Sequence, residues 1–225
     1  MMKRRTIGLT IMVCVILFTF VNQCEAASVT MTKSEKRVYS RWMLSGIRQT
    51  EYGPYYQSKK QGVMYDPKFY VYDINGDGHK DIIVTGSLGL RIKTYSEIYM
   101  HVNGKYKVIP VRGTVKGVSS RGIYSVEDDH IGAGQVYYHS LMLYRFDKHG
   151  RIAKQYEDCE IKMFYDRDKN IRYKNGKVIS RTRKTASGKK ISAGEFNKLK
   201  SQINRRNIDG KMYSLTRVNI RKYLK

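Results

Sequence analysis

The segment Phe69-Tyr70-Val71-Tyr72-Asp73-Ile74-Asn75-Gly76-Asp77-Gly78-His79-Lys80-Asp81-Ile82-Ile83-Val84 sets the architecture. Its ends are aromatic and β-branched, which suits a pleated, half-buried surface. Its middle is dense in Asn-Gly and Asp-Gly, which turn the chain. The segment therefore predicts strand, loop, strand. Within the loop, oxygen-bearing side chains recur at positions 1, 3, 5 and 9. Calcium takes six to eight hard oxygen ligands, and alternate residues of a tightly wound loop can point inward together. Asp73, Asn75 and Asp77 would each supply a side-chain oxygen, His79 its backbone carbonyl, and Asp81 an oxygen directly or through water. In this reading the His79 imidazole plays no part. Gly78 allows the sharp turn. Val84 stands where a standard EF-hand loop has a bidentate Glu, and no helix pair flanks the loop, so the expectation is a structural calcium ion and not a sensor. Magnesium resists dehydration and suits such a cage less well. The competing reading is a hairpin whose glycines only make turns.

Working outward, Thr32-Lys33-Ser34-Glu35 has the spacing of a capping box. It opens an amphipathic helix expected to reach about Arg48, with Val38, Tyr39, Trp42, Met43 and Ile47 on one stripe. Trp42, the only tryptophan, reads as a core anchor. Residues 51–67 read as loop. Strands are expected near 69–73, 81–86, 92–102, 105–114, 121–128, 136–147, 151–161, 171–174 and 177–183. Asn103-Gly104 and Asn175-Gly176 are two-residue hairpin signals, and Lys148-His149-Gly150 a looser one. Turns about every ten residues describe an antiparallel meander. Ser192-Ala193-Gly194-Glu195 caps a second helix bearing Phe196, Leu199 and Ile203, and Thr216 caps a short last one with Ile220 and Leu224. The fold class predicted is α+β: a meander sheet with an N-terminal helix and one or two C-terminal helices packed on it.

At the N-terminus, Lys3, Arg4 and Arg5 precede an apolar run from Ile7 to Val21. A membrane span needs roughly 20 apolar residues, so residues 1–26 read as a signal peptide cut before Ala27, and 27–225 as one secreted domain. Cys14 and Cys24 fall in the signal segment, leaving Cys159 alone and no internal disulfide. Cys159 reads as a half-buried strand residue among acidic neighbours, which disfavour a thiolate. No transmembrane segment is expected in the mature chain. The formal charge is +24, and the part from Arg172 to Lys225 holds seventeen Lys and Arg against Glu195 and Asp209. That asymmetry points to an anionic polymer as partner, such as cell-wall teichoic acid, nucleic acid or a glycosaminoglycan. A solvated basic surface is the competing reading.

The loop from Asp73 to Val84 resembles the Asp-x-Asn-x-Asp-Gly-x-x-Asp calcium loops of integrin-type FG-GAP repeats and of dockerins. With the signal segment before it, the tyrosine-rich β region after it and the endings "EFNKLKSQI" and "LTRVNIRKYLK", the chain is similar to secreted Gram-positive bacterial proteins of unknown function. The resemblance implies calcium and secretion, and it implies no activity. Integrin-type propellers need several such repeats, and a single loop does not supply them.

Enzymatic patterns are weaker. His130 follows Glu127-Asp128-Asp129 and precedes a stretch with Gly132 and Gly134. His130 with Asp129 could serve a hydrolase acting on wall or nucleic-acid polymer, but the same residues make a strand-turn-strand connection. His101 and His139 lie on expected strands and could share a face, though two histidines lack the third ligand a metal needs. No nucleophile elbow or His-Glu-x-x-His helix occurs. The sequence thus predicts a secreted, cell-surface or extracellular calcium-binding module without a convincing catalytic constellation, with a hydrolase and a protein–protein interaction module as alternatives.

Overall fold

The computed structural model describes residues 31–50, 53–58, 62–88, 94–131 and 135–224. The segment 1–26, expected to be a signal peptide, lies outside them, and the elements below all belong to the unit Met31–Lys225. Helix α1 spans Lys33–Gly46. Thr32 Oγ1 accepts from Glu35 N, and Glu35 Oε2 accepts from Thr32 N (2.7 Å), completing the expected box. Strands β1 (Ile47–Thr50), β2 (Gly53–Gln57), β3 (Val63–Tyr72), β4 (Asp81–Leu88), β5 (Thr94–Val102) and β6 (Lys105–Arg112) form one antiparallel sheet in that order. Strands β7 (Thr114–Ser119), β8 (Gly122–Ile131), β9 (Val136–Phe146), β10 (Ile152–Asp166) and β11 (Ile171–Thr185) form a second, in the order β11-β10-β9-β8-β7. Helix α2 (Ala193–Ile203), strands β12 (Arg206–Asn207) and β13 (Tyr213–Ser214), and helix α3 (Arg217–Tyr223) complete the chain. β12 extends the second sheet beside β7, and β13 pairs with β3. The fold is α+β, a β meander with one N-terminal and two C-terminal helices.

The meander changes sheets at Gly113, between β6 and β7. Alternation of side chains gives each sheet two faces, and all four are used. Ile83, Ile98 and Met100 of the first sheet pack with Val115, Ile123 and Met142 of the second in the central core. On the outer face of the first sheet, Tyr39 and Met43 of α1 and Ile220 of α3 cover Phe69, Ile82, Val84 and Tyr99. On the outer face of the second, Phe196 and Ile203 of α2 cover Tyr124, Leu143 and Tyr156. The layers therefore run helix, sheet, sheet, helix. Trp42 is partly buried against this first-sheet cluster, its ring 5.5 Å from that of Tyr99 and 5.2 Å from that of Tyr106. Cys159 is half-buried on β10. Among the described residues no helix is long and apolar enough to cross a membrane.

Four local expectations are corrected. Helix α1 stops at Gly46, and residues 47–50 turn into a strand. The segment 51–67 is not loop throughout: it contains β2 and the start of β3, where Tyr56 pairs with Met64, both are fully buried, and each is also paired outside the segment, with Ile47 of β1 and Leu88 of β4. The expected strand 105–114 is cut at Gly113. Asn175-Gly176 is not a hairpin turn. The turn lies at residues 167–170, where Asn170 has φ 52° and Asp166 Oδ1 accepts from Lys169 N. Gly176, φ 70°, sits in a bulge, where the register jumps from Lys177↔Met163 to Arg172↔Tyr165. Asn103-Gly104 is the expected hairpin: both residues have positive φ, 49° and 74°, as a two-residue type I′ turn requires.

Candidate metal centre

The nine-residue loop joins β3 to β4, as expected, and its side chains fold inward on its own backbone. Asp73 accepts from Gly76 N (2.8 Å) and Gly78 N (3.0 Å). Asn75 Oδ1 accepts from Asp77 N (3.3 Å) while its Nδ2 donates to Asp77 Oδ2 (3.0 Å). Asp77 Oδ1 accepts from His79 N (2.9 Å). Asp81 is fully buried: Oδ2 accepts from Ile74 N (3.0 Å) and Oδ1 from His101 N on β5 (3.1 Å). Burial pushes its carboxyl well above the usual range, and the nearby charges of Asp77 and Asp73 push the same way, against the two N–H donors. Among the described residues, no Lys or Arg forms an ion pair with Asp73, Asp77 or Asp81.

This donor set fits a hard cation. A carboxylate offers about four lone-pair sites, and each N–H bond occupies one, so oxygens of Asp73, Asp77 and Asp81 retain lone pairs. Carboxylate, amide and carbonyl oxygens are the ligands calcium takes.

Beside the loop the structure gathers residues that the sequence did not connect. Glu35 of α1 is 4 % exposed, below the apolar stripe, with Oε1 2.7 Å from His79 Nδ1. Burial pushes its carboxyl up, but the Thr32 backbone N–H and His79 outweigh this and hold it below the usual range. The His79 ring lies 4.2 Å from that of His101, whose other flank meets Tyr106. One ligand atom each from Glu35, His79 and His101 can be chosen so that all lie within 4.8 Å of one another. A signal for Glu35 was present: it stands four residues before Tyr39 and eight before Met43, on the buried stripe, where a carboxylate needs a partner.

The other histidines separate. His101 is on β5 and His139 on β9, in different sheets, so they do not share a face. His139 Nδ1 lies 2.6 Å from Asp128 Oδ1, and the Tyr137 hydroxyl donates to the same oxygen. Tyr137, His139, Asp158 and Glu160 help line a recess of about 370 Å³. The sequence paired Asp129 with His130. His130 belongs to β8, but its side chain lies outside the described residues. The described aspartate–histidine dyad is Asp128–His139.

The basic C-terminal part is divided. Asp158 takes Arg181 through Nε and Nη2 and also Arg183 Nε, all at 2.8–3.0 Å. Burial raises the Asp158 carboxyl, and these two guanidiniums outweigh that and hold it low. Lys184 approaches Glu157 at 3.5 Å. Toward the hairpin tip, Arg172 lies over the Tyr165 ring and Lys177 over Tyr173. Arg172, Lys174, Lys177, Lys189 and Lys190 are exposed. α3 carries Arg217, Arg221 and Lys222 on the opposite outer layer. No protein-family model, no curated protein and no solved structure matches the chain.

Proposed function

We propose that the chain is a secreted, non-catalytic binding domain, stiffened by one calcium ion in the Asp73–Asp81 loop, whose basic β10–β11 ribbon engages an anionic polymer. The observation that carries this reading is electrostatic. In a chain with 43 Lys and Arg to 19 Asp and Glu, three carboxylates gather within nine residues and draw no Lys or Arg into an ion pair among the described residues. A cation supplied from solution answers that arrangement. With the dissociation constant of about 10⁻⁴ to 10⁻³ M typical of extracellular modules, about 10 mM calcium stabilises the fold by roughly 1.4–2.7 kcal/mol. For a domain of this size that raises Tm by roughly 3–10 °C. Thermal unfolding with calcium and with chelator measures it. Asp77→Ala is expected to abolish the difference, and a wild-type Tm unmoved by calcium would reject the loop as a calcium site.

The polymer half rests on the ribbon. Basic and aromatic side chains interleave along its outer end. Lys169 at the tip meets Asp166 at 3.8 Å, whereas Arg172, Lys174 and Lys177 form no ion pair among the described residues, unlike Arg181, Arg183 and Lys184. Lysines on an edge strand can instead prevent edge-to-edge pairing of copies. Salt separates the two roles. A ribbon making about four phosphate contacts loses roughly 100-fold in affinity for duplex DNA between about 50 and 200 mM salt. Changing Arg172, Lys174 and Lys177 together to Gln is expected to flatten that dependence. Unchanged polymer binding accompanied by aggregation would assign these residues to edge protection.

A hydrolase reading draws on the Asp128–His139 dyad and its recess. Among the described residues no serine or cysteine hydrogen-bonds to His139, so in this reading His139 would act as a base on water.

A further inference from the structure

We infer that Glu35, His79 and His101 form a second cation site, distinct from the calcium loop and selective for a Zn²⁺-type divalent transition metal. Two imidazoles and one carboxylate suit zinc and its first-row neighbours, whereas calcium takes oxygen ligands. Three protein ligands with an open fourth position are the usual equipment of a reactive or exchangeable zinc site.

Geometry supports the same assignment. A tetrahedral zinc site with bonds of about 2.0–2.1 Å holds its ligand atoms roughly 3.4 Å apart. One ligand atom from each of the three residues lies within 4.8 Å of the others, and Glu35 Oε1 and His79 Nδ1 are 2.7 Å apart. Small side-chain rotations bring the set around one ion. To accept the ion a His79 nitrogen must be free of its proton, which passes to the other ring nitrogen or to solvent.

An independent observation points to a ligand. His101 Nδ1 is buried and has no hydrogen-bond partner among the described residues. A buried polar atom without a partner is uncommon and destabilising, and a metal ion supplies the missing partner. The supporting frame is already built. Glu35 Oε2 is held by Thr32 N, which leaves Oε1 to face the histidines. His101 is fixed through its backbone N–H by Asp81. On the open side lies a recess of about 370 Å³, bordered by Asp77, Asn103, Lys148 and His149, with room for water or an exchangeable fourth ligand. His79 then serves both sites: its carbonyl belongs to the seventh position of the calcium loop, and its ring to the second ion.

Co²⁺ is the probe, because its visible ligand-field bands report nitrogen ligation and low coordination number. The untagged mature chain, held in about 10 mM calcium to saturate the loop, is expected to bind one Co²⁺ with intense visible bands that Zn²⁺ displaces. His79→Ala is the primary variant, since that side chain is 44 % exposed and its loss leaves the core intact. It is expected to weaken Zn²⁺ binding by more than roughly 100-fold, beyond the range seen for loss of an outer-sphere partner. Glu35→Gln, which keeps an acceptor for Thr32 N, is expected to reduce the Co²⁺ bands as well. Asp73→Asn is expected to remove the calcium response and leave the Co²⁺ spectrum in place. Failure of the wild type to bind Co²⁺ or Zn²⁺ at millimolar concentration overturns the site. So does binding that His79→Ala and Glu35→Gln leave unchanged. Neither outcome touches the calcium reading, which the Asp77→Ala unfolding experiment decides.

Discussion

Replacing Asp81 by alanine is expected to destabilise the calcium-free protein by about 3 kcal/mol, because its carboxylate ties the loop to the sheet even without an ion. Each hydrogen bond to a charged acceptor contributes about 1.5–3 kcal/mol, and removing the acceptor strands a buried donor. Here two donors are stranded: the N–H of Ile74, whose side chain lies in the central core, and the N–H of His101 on β5. Relief of the buried charge and of repulsion from Asp73 and Asp77 offsets part of this loss. Urea unfolding in chelator measures it, with Asp73→Ala as control: Asp73 bonds only loop N–H groups that water can reach, so a loss under about 1 kcal/mol is expected there. If Asp81→Ala unfolds within about 0.5 kcal/mol of wild type in chelator, the carboxylate acts through a bound ion alone.

The double role of Asp81 shows what a linear reading could and could not reach. Helix caps at Thr32, Ser192 and Thr216, the type I′ turn at Asn103-Gly104 and the strand-loop-strand frame around Asp73–Asp81 depend on neighbours within a few residues, so local chemistry reveals them. The face that Asp81 presents to β5 depends on the register Ile82↔Tyr99, which no local pattern encodes. The same holds for Glu35, His79 and His101, which come from a helix, a loop and a strand. Each has a sufficient local explanation, as capping residue, loop carbonyl or strand residue, and that explanation hides the shared site. Asn175-Gly176 failed for the opposite reason. Its preference for positive φ is real and is used by Gly176, but pairing across the sheet moved the hairpin turn to residues 167–170 and left the dipeptide in a bulge.

Gly113→Ala is expected to cost about 3 kcal/mol or more, and the loss should exceed that of Gly104→Ala by at least about 1.5 kcal/mol. Both glycines have nearly the same φ, 76° and 74°, so each substitution carries a similar left-handed strain of about 1–2 kcal/mol. Their surroundings differ. At Gly104 a Cβ meets nothing within 4 Å, whereas at Gly113 it would lie 2.4 Å from Val126 O and 2.9 Å from Glu127 N. Those atoms are backbone of β8, which rotamer changes cannot move. Gly113 is also held from both sides: its N–H donates to Thr94 O (3.0 Å), and its carbonyl accepts from Ser96 Oγ (2.8 Å). To relieve the clash, β8 must withdraw from the place where the meander leaves one sheet for the other, loosening the central core. A loss of about 3 kcal/mol corresponds to a Tm roughly 6–12 °C lower in a domain of this size, whereas Gly104→Ala should lower it by no more than about half as much. Equal shifts in paired thermal scans would mean that the chain can cross between the sheets without the close approach at Gly113. The larger shift at Gly113 ties the two-sheet architecture to one residue whose side chain must be absent, in a sequence whose local pattern runs straight through it as part of the expected strand 105–114.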